Sequence, residues 1–198
     1  MPSVADVVRR YSGAYLERFG SAMPAAHKKV LRAIAACRTG ALGTVLYRCE
    51  CCGRMQALGR SCGDRHCPAC QRDKAEAWLR KQTDRLLPCP YFLVTFTLPA
   101  ALRDVARSHQ RVVYAALFEA SSGALRALAA DPKFVGTDRL GFFGVLHTWG
   151  RTLEYHPHVH YVVPGGGLST DGTDWLASRA DFLVPVKALS VVFRAKFR

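Results

Sequence analysis

The sequence predicts an α+β protein in which a helical zinc-binding N-terminal domain precedes a domain built on an antiparallel sheet. Three observations support this class. Apolar residues recur at helical spacing near the N-terminus, all cysteines except Cys89 lie between residues 37 and 70, and short aromatic or β-branched segments mark the second half. We therefore expect two domains, residues 1–88 and 89–198.

The N-terminal domain is predicted to contain three helices. Helical periodicity indicates one over residues 4 to 15 and a second over residues 23 to 37, opened by Pro24 and closed near Gly40. After the cysteines, helical spacing returns in "QRDKAEAWLRKQTDRLL" until "PCP" ends it. We expect this third helix to link the two domains.

The second domain is predicted in the order β-α-β-β. The segment "YFLVTFTLP" is typical of a central strand ended by Pro99, and residues 102 to 120 follow the period of one long amphipathic helix. Two more strands are expected in "LGFFGVLHTWG" and "HVHYVVP". The triple glycine in "GGGLSTDG" then predicts a turn-rich loop.

The charge balance indicates the kind of partner. The chain has 28 lysines and arginines against 15 acidic residues, a formal net charge of +13, which suits a polyanion, although solubility alone is the plainer explanation. Apolar runs such as "VHYVVP" are far shorter than the roughly 20 residues that span a bilayer, and the N-terminus lacks the pattern of a secretion signal. We expect a cytoplasmic protein without a membrane partner.

The cysteine spacing predicts structural zinc. Cys49 and Cys52 form one C-x-x-C pair and Cys67 and Cys70 another, a combination typical of a tetrathiolate Zn²⁺ site. A disulfide framework would need an oxidising compartment, which nothing in the sequence suggests.

A second zinc site is a further hypothesis. Its four candidate ligands are the remaining nearby cysteines and histidines, namely His27, Cys37, Cys62 and His66. The alternative is that the two cysteines are small buried residues and the two histidines are solvated.

The segment "EYHPHVHYVVPGGG" predicts a second kind of metal site. Side chains alternate faces along a strand, so His158 and His160 should lie on one side roughly 7 Å apart, while Val159 and Tyr161 face the other. Two neighbouring imidazoles can hold one cation, and a metal or neutral tautomers must be present near pH 7 because two protonated rings repel.

A third ligand has to come from a neighbouring element. The strand "FFGVLHTWG" is expected to pair with the histidine strand, which makes His147 the best-placed candidate and Glu154 the alternative. His156 has the same parity as the pair, but it precedes Pro157, which restricts its backbone. We expect His156 at the rim of the site or on its substrate side.

Several segments together resemble a known family. "YRCECCG", "SCGDRHCPACQ", "LLPCPYFLVTFTLP" and "LHTWGRTLEYHPHVHYVVPGGGLS" are similar to the N-terminal half of transposases of the insertion sequence 91 family, rolling-circle enzymes of the two-tyrosine HUH class. The resemblance implies a zinc-binding DNA-binding domain followed by an HUH endonuclease domain, here truncated. It also implies that the two cysteine pairs bind Zn²⁺ and that His158 and His160 bind Mg²⁺ or Mn²⁺. On this resemblance His158 and His160 are the catalytic residues.

The resemblance also implies a reaction and a partner. In this class a metal ion polarises a scissile phosphate while a tyrosine attacks it, which nicks and joins single-stranded or hairpin DNA at the ends of a mobile element. Those tyrosines follow the histidine strand, and no tyrosine follows Tyr161 here. We therefore expect a truncated copy that binds DNA without completing strand transfer, located on the nucleoid of the bacterial cytoplasm, with self-association through an open sheet edge.

Two other functions stay open on the sequence. One is a zinc-ribbon nucleic-acid-binding module without catalysis, and the other is an unrelated metal-dependent hydrolase. In the module, phosphates would be contacted by the arginines around the cysteines, namely Arg48, Arg54, Arg60, Arg65 and Arg72.

Overall fold

The computed structural model describes residues 3–198, which form two compact units, one ending at Leu86 and the other beginning at Leu87. Each unit combines α-helices with antiparallel strands, which confirms the predicted α+β class.

The N-terminal unit contains three helices and one hairpin. Its elements are α1 (Val4–Phe19), α2 (Ala25–Ala36), β1 (Thr44–Arg48), β2 (Met55–Gly59) and α3 (Pro68–Thr83). A capping box starts α1, since Ser3 Oγ accepts from the backbone of Asp6 and the Asp6 carboxylate accepts from the backbone of Ser3. Pro24 precedes α2 and Pro68 opens α3, positions where a missing N–H costs little. The three predicted helices are confirmed.

The core of this unit is small and contains two thiols. Its buried residues are Ala5, Ile34, Cys37 and Cys67. Both strands of the hairpin and most apolar residues of α1 remain exposed. Because so little apolar surface is buried, the hydrophobic core alone supplies little stability to this unit.

The C-terminal unit packs two helices on one face of a sheet. Its elements are β3 (Tyr91–Thr97), α4 (Arg103–Ser108), α5 (Gln110–Ala129), β4 (Phe143–Trp149), β5 (Tyr155–Pro164), β6 (Gly166–Leu168), β7 (Trp175–Ala177) and α6 (Val186–Phe197). The main sheet is antiparallel with strand order β3-β5-β4. Val159 and Tyr161 of β5 join the core with side chains of α5 and α6, which leaves the other face of the sheet for the histidines.

Three sequence predictions for this unit were wrong in detail. The strand β3 lies at an edge, and the histidine strand β5 occupies the centre. The expected long helix breaks at His109, whose backbone leaves the helical region (φ −125, ψ 48) and separates α4 from α5. The triple glycine is not a simple turn: Gly166 and Gly167 lie in β6, where an added Cβ would come within 2.6 and 2.8 Å of backbone oxygens of Leu176 and Arg139.

One helix between residues 3 and 198, α5, is long and apolar enough to cross a membrane by length and composition alone. Part of its surface is buried in the core through the side chains of Leu117, Ala120, Ser121, Ala124, Leu125 and Ala129. Its apolar composition is thus explained by packing within this unit.

The packing around Gly144 supports a stability prediction. Gly144 on β4 lies opposite Tyr161, and an added Cβ would lie 2.5 Å from the Tyr161 ring. The ring cannot move away easily, because its hydroxyl is hydrogen-bonded to Ser121 Oγ at 2.8 Å in the core. We expect Gly144→Ala to lower the free energy of unfolding by about 1–3 kcal/mol through overpacking, measured by chemical denaturation.

The matched control is Gly141→Ala, because an added Cβ at Gly141 has no heavy atom within 4 Å. Equal stability of the two variants would contradict the predicted clash.

Candidate metal centres

Two neighbouring strands bring three histidines together. His147 on β4 lies directly opposite His158 on β5, and His160 follows two residues later on the same face. One ring nitrogen from each of the three lies within 4.8 Å of the other two. We call this set the histidine cluster. The cluster lies on the sheet face opposite the core. Successive side chains of β5 point alternately to this face and to the core.

Hydrogen bonds fix the orientation of two of these rings. His158 Nδ1 lies 2.7 Å from the backbone carbonyl oxygen of His156, to which it donates, and His160 Nδ1 lies 2.8 Å from Thr95 Oγ1. The carbonyl contact leaves His158 Nε2 with a free lone pair, and in both rings Nε2 is the nitrogen that these contacts leave open, as in metal-binding histidines whose other nitrogen is held by a second group. Burial, followed by the neighbouring His158 and His147, lowers the pKa of His160 and favours the neutral ring.

The third member of the cluster is His147, and Glu154 is not part of it. His147 stacks on Trp149 with 4.7 Å between ring centroids and 15° between planes. The Glu154 carboxylate instead accepts a hydrogen bond from Thr152 Oγ1 at 2.5 Å, which lowers the pKa of this carboxyl group. Glu154 is therefore occupied within the β4–β5 connection.

His156 lies at the rim of the cluster, where it contacts an arginine. Its ring centroid is 5.3 Å from that of His158, and its Nδ1 lies 2.6 Å from Arg103 Nη2. A guanidinium group can only donate, so His156 Nδ1 accepts and the ring is neutral. Burial, then the charges of Arg103 and His158, lower the pKa of His156 in agreement with this state.

The second centre is a cluster of four thiols, made of Cys37, Cys62, Cys67 and Cys70. Their sulfur atoms lie within 4.8 Å of one another, with Cys70 Sγ at 3.5 Å from Cys37 and 3.6 Å from Cys62. Cys37 ends α2, Cys62 follows the hairpin, and the other two open α3. Four converging sulfurs are the donor set of a closed structural zinc site.

The thiols of this four-thiol cluster differ in acidity. Burial raises the pKa of Cys62 to about 12. Burial also acts to raise the pKa of Cys70, but hydrogen bonds from Cys37, the Gly63 backbone and Cys62 lower it to about 7. Cys70 is therefore the thiol most ready to lose its proton to an arriving cation.

The structure corrects the predicted pairing of Cys49 and Cys52 with Cys67 and Cys70. Cys49, Cys51 and Cys52 form a separate three-thiol group at the hairpin tip, with 3.0 Å between the sulfurs of Cys49 and Cys51. The two strands are each five residues long, so the tip lies roughly 17 Å from the hairpin base. The base leads directly to Cys62, which therefore joins the second pair, and Cys51 is a candidate ligand that the spacing argument left out.

The predicted second zinc set is also divided. Cys37 and Cys62 belong to the four-thiol cluster, whereas over residues 3–198 His27 and His66 belong to none of the three clusters. The two histidines line a separate cavity of about 500 Å³, and His66 Nδ1 contacts Asp64 Oδ1 at 3.2 Å. Sulfur donors complete the four-thiol cluster without them.

The predicted phosphate-binding arginines are all exposed. They are distributed along the hairpin, the following loop and α3, at positions Arg48, Arg54, Arg60, Arg65 and Arg72. Beside the hairpin, Arg38, Arg60 and Tyr47 line a cavity of about 520 Å³. Exposed guanidinium groups next to an exposed aromatic ring suit a nucleic-acid backbone and its bases.

Comparison with family models assigns both units. The model for a transposase zinc-binding domain matches residues 7–98, and the model for a putative transposase matches residues 141–198.

Comparison with curated proteins also finds transposases. A putative transposase, y4qJ of Sinorhizobium fredii, is 46% identical over 196 residues, which cover 99% of this chain and 49% of the relative. The transposase for insertion sequence element IS801 of Pseudomonas savastanoi pv. phaseolicola is 37% identical over 143 residues, 69% of this chain and 33% of the relative. The chain thus spans at most about half the length of these relatives.

A solved structure also resembles part of the chain. It is a conjugative relaxase, TRWC, in complex with oriT DNA and bound copper, with a TM-score of 0.40, 22% identity, and coverage of 53% of this chain and 40% of that chain. At this level the likeness supports no conclusion about the present molecule. The two domain matches and the two transposase relatives show that the chain belongs to the insertion sequence 91 family of transposases.

Proposed function

We propose that this chain forms the metal-binding and DNA-binding part of a transposase that breaks and rejoins single-stranded DNA at the ends of a mobile element. The observation that carries the proposal is the histidine cluster, in which three ring nitrogens converge within 4.8 Å on the face of the sheet opposite the core.

The donor set of the cluster fits a divalent cation with open coordination positions. Three imidazoles from His147, His158 and His160 would hold the ion, and they favour Mn²⁺ over Mg²⁺, which prefers oxygen ligands. A bound ion at this place would supply charge stabilisation to a phosphate oxygen. The chain's own contribution is to fix the orientation of the His158 and His160 rings, through the His156 carbonyl and Thr95.

The N-terminal unit would contribute DNA binding. Zn²⁺ at the four-thiol cluster fits the closed set of four sulfurs and the family match of residues 7–98. The exposed arginines of the hairpin would then contact phosphates of a single-stranded or hairpin DNA end. A DNA-bound protein of this kind would be found on the nucleoid, and the open edges of the β3-β5-β4 sheet are where self-association would occur.

Neither tyrosine of strand β5 is arranged as a nucleophile. The Tyr155 hydroxyl lies 2.7 Å from the Tyr114 hydroxyl, and the Tyr161 hydroxyl lies 2.8 Å from Ser121 Oγ in the core. We therefore assign binding and phosphate polarisation to this chain and no covalent step to these two tyrosines.

The proposal predicts that Mn²⁺ strengthens binding of single-stranded DNA. Fluorescence anisotropy with a labelled oligonucleotide should show an affinity about tenfold higher with Mn²⁺ than without added divalent ion, because the ion adds one direct phosphate contact. A denaturing gel of the same mixture should show no covalent protein–DNA adduct.

His109→Ala is the matched control for the Mn²⁺ effect, since His109 is exposed and outside the cluster. An affinity that does not respond to Mn²⁺ would refute the proposal. It would favour a zinc-dependent nucleic-acid-binding module, a function that the exposed arginines of the hairpin support.

A further inference from the structure

Arg103 is a charged residue beside the histidine cluster with no assigned role. It begins α4, and its Nη2 donates to His156 Nδ1 at 2.6 Å. The ring of His156 in turn lies 5.3 Å from the ring of His158, a member of the cluster. The guanidinium group is therefore only one side chain away from the proposed ion.

Arg103 has no salt-bridge partner within the described part of the chain, and the Glu154 carboxylate, with which it interacts electrostatically, is hydrogen-bonded to Thr152. No carboxylate of residues 3–198 lies within 4.0 Å of it, and its side chain makes one hydrogen bond, to neutral His156. Its Nε atom is buried without a hydrogen-bond partner. Arginines with buried polar atoms normally pair with an acid, so this one has donor capacity to spare.

Two positive charges would then lie next to each other, the guanidinium and a cation at the histidines. Like charges at such short range repel, and an anion between them converts the repulsion into two attractions. A guanidinium also matches the oxygens of a phosphate with two parallel N–H donors. The neutral His156, which accepts at Nδ1, carries a further donor at Nε2.

We propose that Arg103 and His156 form an anion site that binds a backbone phosphate of single-stranded DNA between the guanidinium and the cation of the histidine cluster. The inference rests on the proposed function, because it requires both the ion and the DNA. It assigns Arg103 as a phosphate-binding residue and His156 as the residue that positions it.

Salt dependence of DNA binding tests this site. For single strands, each lost phosphate contact lowers the slope of log K against log salt concentration by about 0.7. In the presence of Mn²⁺ we expect Arg103→Gln to lower that slope by this amount and to weaken binding roughly tenfold or more at moderate salt. Arg103→Lys should keep the slope, because it keeps the charge.

The matched control is Arg194→Gln on α6. Arg194 is solvent-exposed, and this substitution also removes one positive charge. Its helix, however, packs on the core side of the sheet, where Phe193 contacts Phe96. The control should leave the slope near that of the unmodified protein. Circular dichroism would establish that each variant retains its helices.

A separate Mn²⁺ titration distinguishes the two hypotheses. If Mn²⁺ binds and Arg103→Gln leaves both slope and affinity unchanged, the anion site is refuted while the proposed function stands. If Mn²⁺ does not bind to the unmodified protein, both are refuted. Unchanged Mn²⁺ affinity together with a lower slope in Arg103→Gln is the result that supports the site.

Discussion

Replacing Cys67 with serine is expected to abolish zinc binding at the four-thiol cluster and to unfold the N-terminal unit. Cys67 is fully buried, directly precedes α3, and is one of the four buried residues that form the core among residues 3–86. Structural zinc contributes on the order of 10–16 kcal/mol to small zinc-binding peptides, whereas domains are stable by about 5–15 kcal/mol in total. Loss of one sulfur ligand should therefore remove most of the unit's stability.

The measurements are zinc content after dialysis and the helical signal in circular dichroism. We expect Cys67→Ser to lose one equivalent of zinc and the helical signal of α1 to α3. Cys89→Ser is the control, since Cys89 belongs to none of the thiol groups within residues 3–198. A Cys67→Ser protein that keeps its zinc and its helices would refute the assignment.

The same experiment decides between the two groupings of the thiols. On the structural grouping, serine at Cys37 or Cys62 acts like serine at Cys67, while serine at Cys49 and Cys52 together leaves the helices intact. On the grouping expected from spacing, serine at Cys49 and Cys52 unfolds the unit, while serine at Cys37 or Cys62 leaves the helices intact. The variants at Cys37, at Cys62 and at Cys49 with Cys52 thus separate the two groupings, whereas Cys67→Ser has the same expected result on both.

Replacing both His158 and His160 with alanine is expected to remove Mn²⁺ binding from the C-terminal unit. Removing a group that merely orients a metal-binding histidine lowers metal affinity by about 10–100-fold. Loss of two direct ligands should therefore lower the Mn²⁺ affinity by more than about 100-fold. Electron paramagnetic resonance of free Mn²⁺ measures this directly. The Mn²⁺-dependent increase in DNA affinity should disappear together with ion binding.

A smaller change tests the geometry of the site. Thr95→Val removes the hydroxyl at 2.8 Å from His160 Nδ1 while keeping the side-chain shape. We expect it to weaken Mn²⁺ binding by about 10–100-fold, between the effects of the double variant and of His109→Ala. Mn²⁺ affinity that survives in the double alanine variant would show that the ion binds elsewhere.

The face alternation of β5 could be predicted because it depends on local geometry. The period of two along a strand places His158 and His160 together and puts Val159 and Tyr161 in the core, as observed. The pairing of β4 with β5 was also confirmed, and with it the position of His147 opposite His158.

Other features depend on contacts that sequence spacing does not encode. Two C-x-x-C pairs suggest one site, but the hairpin carries the pair with Cys49 away from the pair with Cys67. The apolar run of β3 resembles a strand buried on both faces, yet Leu93 on the histidine face is 70% exposed. Arg103 could not have been selected, because 53 residues separate it from His156 in the chain.

The central position of β5 has a consequence for how an ion is captured. Both edges of this strand are hydrogen-bonded to neighbours, so its backbone belongs to the part of the fold that opens last in local fluctuations. Two ligands on such a strand need little ordering when an ion arrives, and the entropy lost on capture is correspondingly small. A cage this stiff would also keep its donor spacing fixed, so it would discriminate between ions by radius instead of adapting to each of them.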